Sequence, residues 1–255
     1  MRIALLQIPS GSVNAVSNIR KAEQLMLQTP EADLYVLPEM WATGFNTSPH
    51  AEMHKESMQA LEWMKQTATT TGHAIAGSLA VRECGKDASS LEVSERNTHV
   101  WRNRFFFVCP DGTISHYDKC HLFSPAGEDR LFLAGDRRVV VCYQGVRFLL
   151  QTCFDLRFPE SSRNHLSDSY DVAIFAASWP AERRLAWNTL LQARAIENQA
   201  FTVGVNALGC SAAYGPLGDV LFSPLDTQMQ GVTIELTPHD IERMHELRES
   251  FRVLE

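Results

Sequence analysis

Cys153 follows the largely apolar run Val146 to Leu150 and opens the polar stretch Thr152-Cys153-Phe154-Asp155-Leu156-Arg157. A thiol on the turn after a rigid strand is placed to attack, and the amide N–H groups that follow it are placed to hold a developing oxyanion. Taken alone, a lone cysteine in such a place is an ordinary small core residue. Three other segments weigh against that reading. Asp33-Leu34-Tyr35-Val36-Leu37-Pro38 is an apolar run closed at once by Glu39, a carboxylate beside Met40, Trp41 and Phe45. Desolvation there predicts a raised pKa, which suits a general base, although loop glutamates are more often solvated. Lys119 ends a strand that follows the Asp111-Gly112 turn. In a partly dry pocket its ammonium would hold the oxygen of a tetrahedral intermediate and lower the pKa of a neighbouring thiol, whereas the ordinary fate of a lysine is a head in water. Glu128, in the polar loop Ser124 to Arg130, is available to pair with Lys119 or to orient a substrate amide.

Leu37-Pro38-Glu39, Asp118-Lys119-Cys120-His121-Leu122-Phe123 and Thr152-Cys153-Phe154-Asp155-Leu156-Arg157-Phe158-Pro159-Glu160 stand in one chain order. Together they resemble the Glu, Lys and Cys signatures of the nitrilase superfamily, and Arg194-Ala195-Ile196-Glu197-Asn198-Gln199, preceded by Trp187, resembles a helix common there. The likeness runs from Ile3 to about Leu236. Leu122-Phe123 and Ala177-Ser178-Trp179-Pro180 most resemble the omega-amidase branch, whose members hydrolyse the terminal amide of 2-oxo acids such as 2-oxoglutaramate. The resemblance implies Glu39 as acid and base, Cys153 as nucleophile, Lys119 and the Phe154 backbone N–H around the oxyanion, and Glu128 as the second glutamate. It also implies a homodimer formed through the helix after the cysteine and the carboxyl-terminal segment. One departure stands out. Where most relatives carry an Arg-Val-Gly turn and a longer loop after the asparagine, this chain runs Asn206-Ala207-Leu208-Gly209-Cys210-Ser211 quickly to Pro216-Leu217-Gly218-Asp219, a shortening that bears on pocket width, substrate and activity.

For the substrate, Arg157 offers a guanidinium that grips a carboxylate, or else braces its own loop. Trp41, Phe45, Phe123 and Trp179 are candidates for the pocket wall and equally for the core. Side chains and water fill every role in amide hydrolysis, so no cofactor is expected and the partners are a small amide and water. His116, Cys120 and His121 lie close in sequence, but a zinc site takes three or four ligands at defined spacing and no second pair stands at such a distance, so no metal is expected. The competing readings are a related amidase for another amide, an N-carbamoyl compound or a deaminated peptide, and a non-catalytic scaffold that keeps the fold. Retention of Glu39, Lys119 and Cys153 together argues against the scaffold.

Composition narrows the classes further. A formal charge of −7 opposes general affinity for nucleic acid or anionic lipid. The six cysteines, at 84, 109, 120, 142, 153 and 210, contain no Cys-x-x-Cys pair and read as free thiols in a reducing compartment. The apolar start is too short for a secretory signal, and Gln144, Gly145 and Arg147 interrupt the richest apolar tract well before a membrane span. Cytoplasmic location and no membrane partner are expected.

These residues need a frame. Asn14 to Gln28 places Val16, Ile19, Ala22, Leu25 and Met26 near one helical face, stopped by Pro30 before a strand. A second helix over 52–70, a strand over 73–81, a polar loop around 85–94 and a hairpin over 97–117 follow. Beyond them come a hairpin about Gln144-Gly145, a strand over 172–176, a helix over 181–199, a strand over 201–205 and a closing helix over 240–251. Hairpins mixed with crossover helices predict an α/β chain of two sheets with helices outside, read as one domain over 1–255. The resemblance sharpens this to a four-layer α-β-β-α sandwich.

Overall fold

In a computed structural model, residues 1–9, 14–84, 99–223 and 229–251 are described. The expected polar loop around 85–94 lies outside the described residues. The chain opens with β1 (Arg2–Gln7), α1 (Ala15–Gln28), β2 (Leu34–Val36), α2 (Ala51–Thr71), β3 (Ala74–Cys84), β4 (His99–Val108) and β5 (Ile114–Asp118). It continues with β6 (Val140–Tyr143), β7 (Val146–Thr152), the short α3 (Pro159–Ser162), β8 (Val172–Ala177), α4 (Arg184–Asn198) and β9 (Phe201–Asn206). β10 (Ala212–Tyr214), β11 (Val220–Phe222), β12 (Gln230–Glu235) and α5 (Pro238–Phe251) close it. The strands form two six-stranded sheets, ordered β12-β1-β2-β3-β4-β5 and β11-β10-β9-β8-β7-β6.

Three apolar layers hold the sheets and helices together. Ile3, Leu5, Phe105 and Phe107 of one sheet meet Phe148, Leu150, Ile174 and Val203 of the other. On the outer face of the first sheet, Leu6, Tyr35 and Ile75 cover Ala22, Leu25, Ala60 and Met64 of α1 and α2. Leu149 and Phe175 on the second sheet pack with Trp187, Leu191 and Ala195 of α4. The result is the four-layer α-β-β-α sandwich, and each fully buried large apolar side chain contributes roughly 1.5–3 kcal/mol to it. Parallel strands covered on both sides read as unbroken apolar runs, as Val172–Ala177 does.

Local chemistry explains most boundaries. Asn14 caps α1 by accepting from Ser17 N at 3.1 Å, and Gly72 ends α2 in the left-handed conformation at φ 75°. The Gln144-Gly145 turn has both residues at positive φ, as a tight two-residue hairpin requires. Three expectations shift. The buried face of α1 is Ala15, Asn18, Ala22, Leu25 and Met26, so Val16 lies outside it, at 41% exposure. Residues 181–183 form a 3₁₀ turn before α4 begins at Arg184, because Trp179 Nε1 donates to the Arg183 carbonyl at 3.0 Å and ties that turn back. α5 starts two residues early, at Pro238, since Thr237 Oγ1 accepts from Asp240 N while Asp240 Oδ2 accepts from Thr237 N.

Candidate active site

The carboxyl ends of five strands converge. β2 leads through Leu37-Pro38 to Glu39, β5 to Lys119, β7 to Cys153, β8 to Ser178, and β9 ends at Asn206. Ligands in α/β sheets gather at this edge because loops there can project side chains inward from a rigid frame. Tight backbone geometry fixes two of the ends. Cys153 sits at φ 46° at the start of a 3₁₀ turn spanning Cys153–Arg157, and Met40, next to Glu39, sits at φ 45°. A side chain in the left-handed region costs of order 1–3 kcal/mol and persists only where its surroundings hold it. Gly77 on β3 lets the Glu39 segment approach, since a Cβ there would lie 2.7 Å from that of Leu37.

At the floor, Lys119 Nζ lies 2.8 Å from Glu39 Oε1 and 2.8 Å from Glu128 Oε2, with all three side chains fully buried. Asn103 bridges the two carboxylates, its Nδ2 donating to Glu39 Oε1 at 2.8 Å and to Glu128 Oε1 at 3.0 Å. Its own Oδ1 accepts from Ser78 Oγ at 2.9 Å. The second oxygen of Glu39 accepts from the Ser178 N–H at 3.0 Å, and Glu128 Oε2 also accepts from Phe123 N at 2.7 Å. Cys153 stands beside this network, its side chain lining the same cavity as Glu39.

The electrostatics follow from this burial. Desolvation pushes Glu39 above the ordinary glutamate value; Lys119 pulls it down and Glu128 pushes it up again. Burial also works against a charge on Lys119, yet Glu39, Glu128 and Cys153 together outweigh it and raise its pKa, so the ammonium stays protonated. The thiol departs from the expectation that Lys119 would depress it. Burial first, and then the Glu39 charge, push Cys153 well above its ordinary value, and Lys119 offsets only part of this. The protonated thiol is therefore favoured at Cys153, beside the Glu39 carboxyl group on the same cavity.

Above this floor opens a cavity of about 240 Å³. Glu39 and Cys153 form its base; Phe45, Phe123, Phe154 and Trp179 wall it, with Arg157, Arg183, Ser178, Pro180 and Leu208 completing the lining. The four residues Glu39, Lys119, Cys153 and Glu128 are thus together, and Phe45, Phe123, Phe154, Arg157 and Trp179 line the space above them. Trp41 does not. It is fully buried in the outer core, its ring 5.4 Å from that of Trp63 on α2, because the chain turns sharply at Met40 and carries the indole away from the opening. The side chains of the metal candidate are used otherwise: His121 contacts Asp155 at 2.9 Å, and Cys120 Sγ lies on the Asp118 carbonyl at 3.6 Å.

The sequence reading passes over Asn103, Asp155, Arg183 and Leu208. Asn103 was visible as the one polar residue in the inward-facing series Trp101, Asn103, Phe105, Phe107 of β4. Arg183 and Leu208 gave no such signal. The Arg157 guanidinium lies over the Trp179 ring at 4.9 Å and that of Arg183 over Phe123 at 5.4 Å. Among the described residues neither is paired with a carboxylate. Leu208 comes from the short turn after β9, which Asn206 fastens by accepting from Trp179 N at 2.7 Å and Leu208 N at 3.2 Å.

A family model described as carbon-nitrogen hydrolase matches residues 2–246. The chain is 41% identical over 209 residues to the omega-amidase YafV of Yersinia enterocolitica, covering 82% of this chain and 75% of that one. It is 33% identical over 210 residues to the 2-oxoglutaramate amidase of Bacillus subtilis, covering 81% and 76%. Among solved structures, XC1258 from Xanthomonas campestris, a CN-hydrolase superfamily protein, superposes with a TM-score of 0.80 at 30% identity, covering 99% of this chain and 95% of that one.

Proposed function

The chain belongs to the carbon-nitrogen hydrolase family, and from that premise we propose that it cleaves the terminal amide of a small 2-oxo acid, such as 2-oxoglutaramate or 2-oxosuccinamate, through a thioester on Cys153. The observation that carries the reading is Cys153 and a buried Glu39, itself 2.8 Å from Lys119, at the base of one small aromatic cavity that Arg157 and Arg183 also line.

Glu39 takes the thiol proton as sulfur attacks the amide carbon, and the carbonyl oxygen gathers negative charge. The Lys119 ammonium and the Phe154 backbone N–H stabilise that oxygen. Glu39 then passes its proton to the departing nitrogen, and ammonia leaves the thioester. A water gives its proton to the same carboxylate, attacks the thioester carbon, and releases the acid as the proton returns to sulfur. Glu128 keeps Lys119 charged and aligned throughout, and Asn103 holds the two carboxylates at one separation. The pocket suits a short substrate by volume, and Arg157 gives the substrate's carboxylate a bidentate partner.

In the same reading the chain is one domain over 1–255 that acts in the cytoplasm without a cofactor. Among the described residues no helix is long and apolar enough to cross a membrane. A homodimer fits the exposed Ile196 of α4 and Leu217 and Val220 near it, at 49%, 58% and 60% exposure. Ammonia release from 2-oxoglutaramate, 2-oxosuccinamate, glutamine and a simple nitrile, with wild type beside Cys153→Ala, tests the activity. Release confined to the 2-oxo amides and lost in the variant is expected; release from none of the four by a folded protein would overturn the reading.

A further inference from the structure

Asp155 is fully buried, and neither the nucleophile nor the oxyanion site uses it. Its Oδ2 accepts from Tyr117 Oη at 2.8 Å and from Thr152 N at 2.9 Å. Its Oδ1 accepts from His121 N at 2.9 Å and faces His121 Nδ1, also at 2.9 Å. An ionised carboxylate offers about four acceptor sites, so this one is filled. The distribution of its partners is the informative part. Tyr117 and His121 stand two residues before and two residues after Lys119, on the first sheet's β5 and the loop beyond it. Thr152 immediately precedes Cys153, at the end of β7 in the second sheet.

Further contacts stiffen the same joint. Tyr117 Oη, besides donating to Asp155, accepts from Cys120 N at 3.1 Å. The His121 ring stacks on Phe158 with centroids 3.7 Å apart and planes 8° from parallel, and Phe158 meets Phe154 edge-on at 5.2 Å. The Asp155 carbonyl accepts from Phe158 N at 2.9 Å, closing the 3₁₀ turn on itself. No other carboxylate among the described residues is hydrogen-bonded on both sides of Lys119 and next to Cys153.

We propose that Asp155 is a positioning residue, a latch between the two sheets that fixes the Lys119 ammonium relative to the Cys153 sulfur, with Tyr117 and His121 as its two fastenings on the lysine loop. The inference rests on the assignment of Cys153 as nucleophile and Lys119 as oxyanion partner. Chemistry between two loops tolerates little slack, and a misplacement of about 1 Å can lower turnover by about 10²-fold. In Asp155→Asn one oxygen becomes an NH₂ that points a donor at donors, so the latch opens while volume is kept.

The test compares wild type with Asp155→Asn, Tyr117→Phe, His121→Leu and His121→Asn, reading kcat and KM for 2-oxoglutaramate and the site-resolved rate of alkylation by iodoacetamide. Exposed Cys142 serves as an internal standard, and buried Cys109 and Cys210 report loosening of the fold. For Asp155→Asn, kcat is expected to fall by about 10²-fold with KM within about threefold, and Cys153 alkylation to slow while Cys109 and Cys210 stay protected. Tyr117→Phe and His121→Leu are each expected to lose roughly tenfold in kcat, and His121→Asn, whose amide N–H can stand where Nδ1–H stood, to recover most of it. If Asp155→Asn does not fold, the last three variants decide. Unchanged kcat and Cys153 alkylation in all the folded variants would overturn the latch, as would loss of activity accompanied by exposure of Cys109 and Cys210, or His121→Asn no better than His121→Leu. Cys153→Ala assayed alongside separates the two failures, since full ammonia release from it would sink the site assignment rather than the latch alone.

Discussion

Among the described residues, the ion clusters built on buried Lys119 and on buried Asp171 differ in what surrounds the charge. At Asp171, Oδ1 lies 2.8 Å from His245 Nε2 and 3.3 Å from Arg248, while Oδ2 accepts from Arg147 N at 2.9 Å. Arg248 spends its remaining donors on the carbonyls of Gln199 and Tyr170, at 2.8 and 2.5 Å. This cluster ties α5 to the ends of α4 and the start of β8. There the Asp171 carboxylate meets the Arg248 guanidinium, with the half-exposed His245 beside it. At Lys119 one cation faces two carboxylates, and a thiol sits against the surplus, at the floor of a cavity. Burial and ion pairing alone therefore do not mark a reactive site. Surplus negative charge beside an ionisable nucleophile, open to a cavity, does.

The sharpest way to break this contrast is to remove the nucleophile. Cys153→Ala is expected to lower ammonia release by at least about 10³-fold with the thermal transition little changed, since the hydrogen bonds that hold the floor run through Asn103, Lys119, Glu39 and Glu128. Lys119→Met comes next. It is expected to cut kcat by about 10²-fold or more and to cost about 3–5 kcal/mol in urea unfolding, because two buried carboxylates lose their counter-charge. Arg248→Met tests the other cluster: a loss of roughly 3 kcal/mol on unfolding, with kcat per folded molecule close to wild type. A fall in kcat as large as that of Lys119→Met would erase the distinction between the clusters.

Smaller effects refine it. Glu39 serves as base only when ionised, and its pKa is raised, so kcat/KM is present at higher pH and is lost as pH falls through a value above the ordinary 4.5. Because the Glu128 charge contributes to that rise, Glu128→Gln is expected to move the acid limb of the profile to lower pH. The smallest change is expected at the rim. Arg157→Met and Arg183→Met are each expected to raise KM about tenfold for an anionic 2-oxo amide and hardly at all for a neutral amide, measured side by side.

Much of the site was legible because it sits where secondary structure changes. Glu39 and Cys153 follow largely apolar runs and Lys119 ends the strand after the Asp111-Gly112 turn, and an alternation or run of hydrophobic residues is the strongest signal a chain carries about strands. The hairpins at Asp111-Gly112 and Gln144-Gly145 announced themselves through residues that tolerate positive φ. Less legible was everything that depends on two distant segments meeting. Asp155 reads as a turn residue, and only packing of the sheets reveals Tyr117 and His121 at its oxygens. Trp41 and Trp179 looked alike in sequence, yet the turn at Met40 sends one indole into the core while Asn206 holds the other at the pocket. The direction of the Cys153 shift also escaped, since a positive neighbour was visible and the degree of burial was not.

By itself the sequence determined the α/β class, the order of most strands and helices, and the Glu39, Lys119 and Cys153 positions proposed to carry the chemistry, because those follow from local hydrophobic periodicity, turn residues and short motifs. Tertiary structure alone decided the Glu39–Lys119–Glu128 separation, the bridging role of Asn103, the Asp155 joint and the placing of Arg157 and Arg183 on one cavity. Each of these joins residues far apart in the chain, and their distances are set by how two twisted sheets pack face to face, which no local pattern of residues encodes.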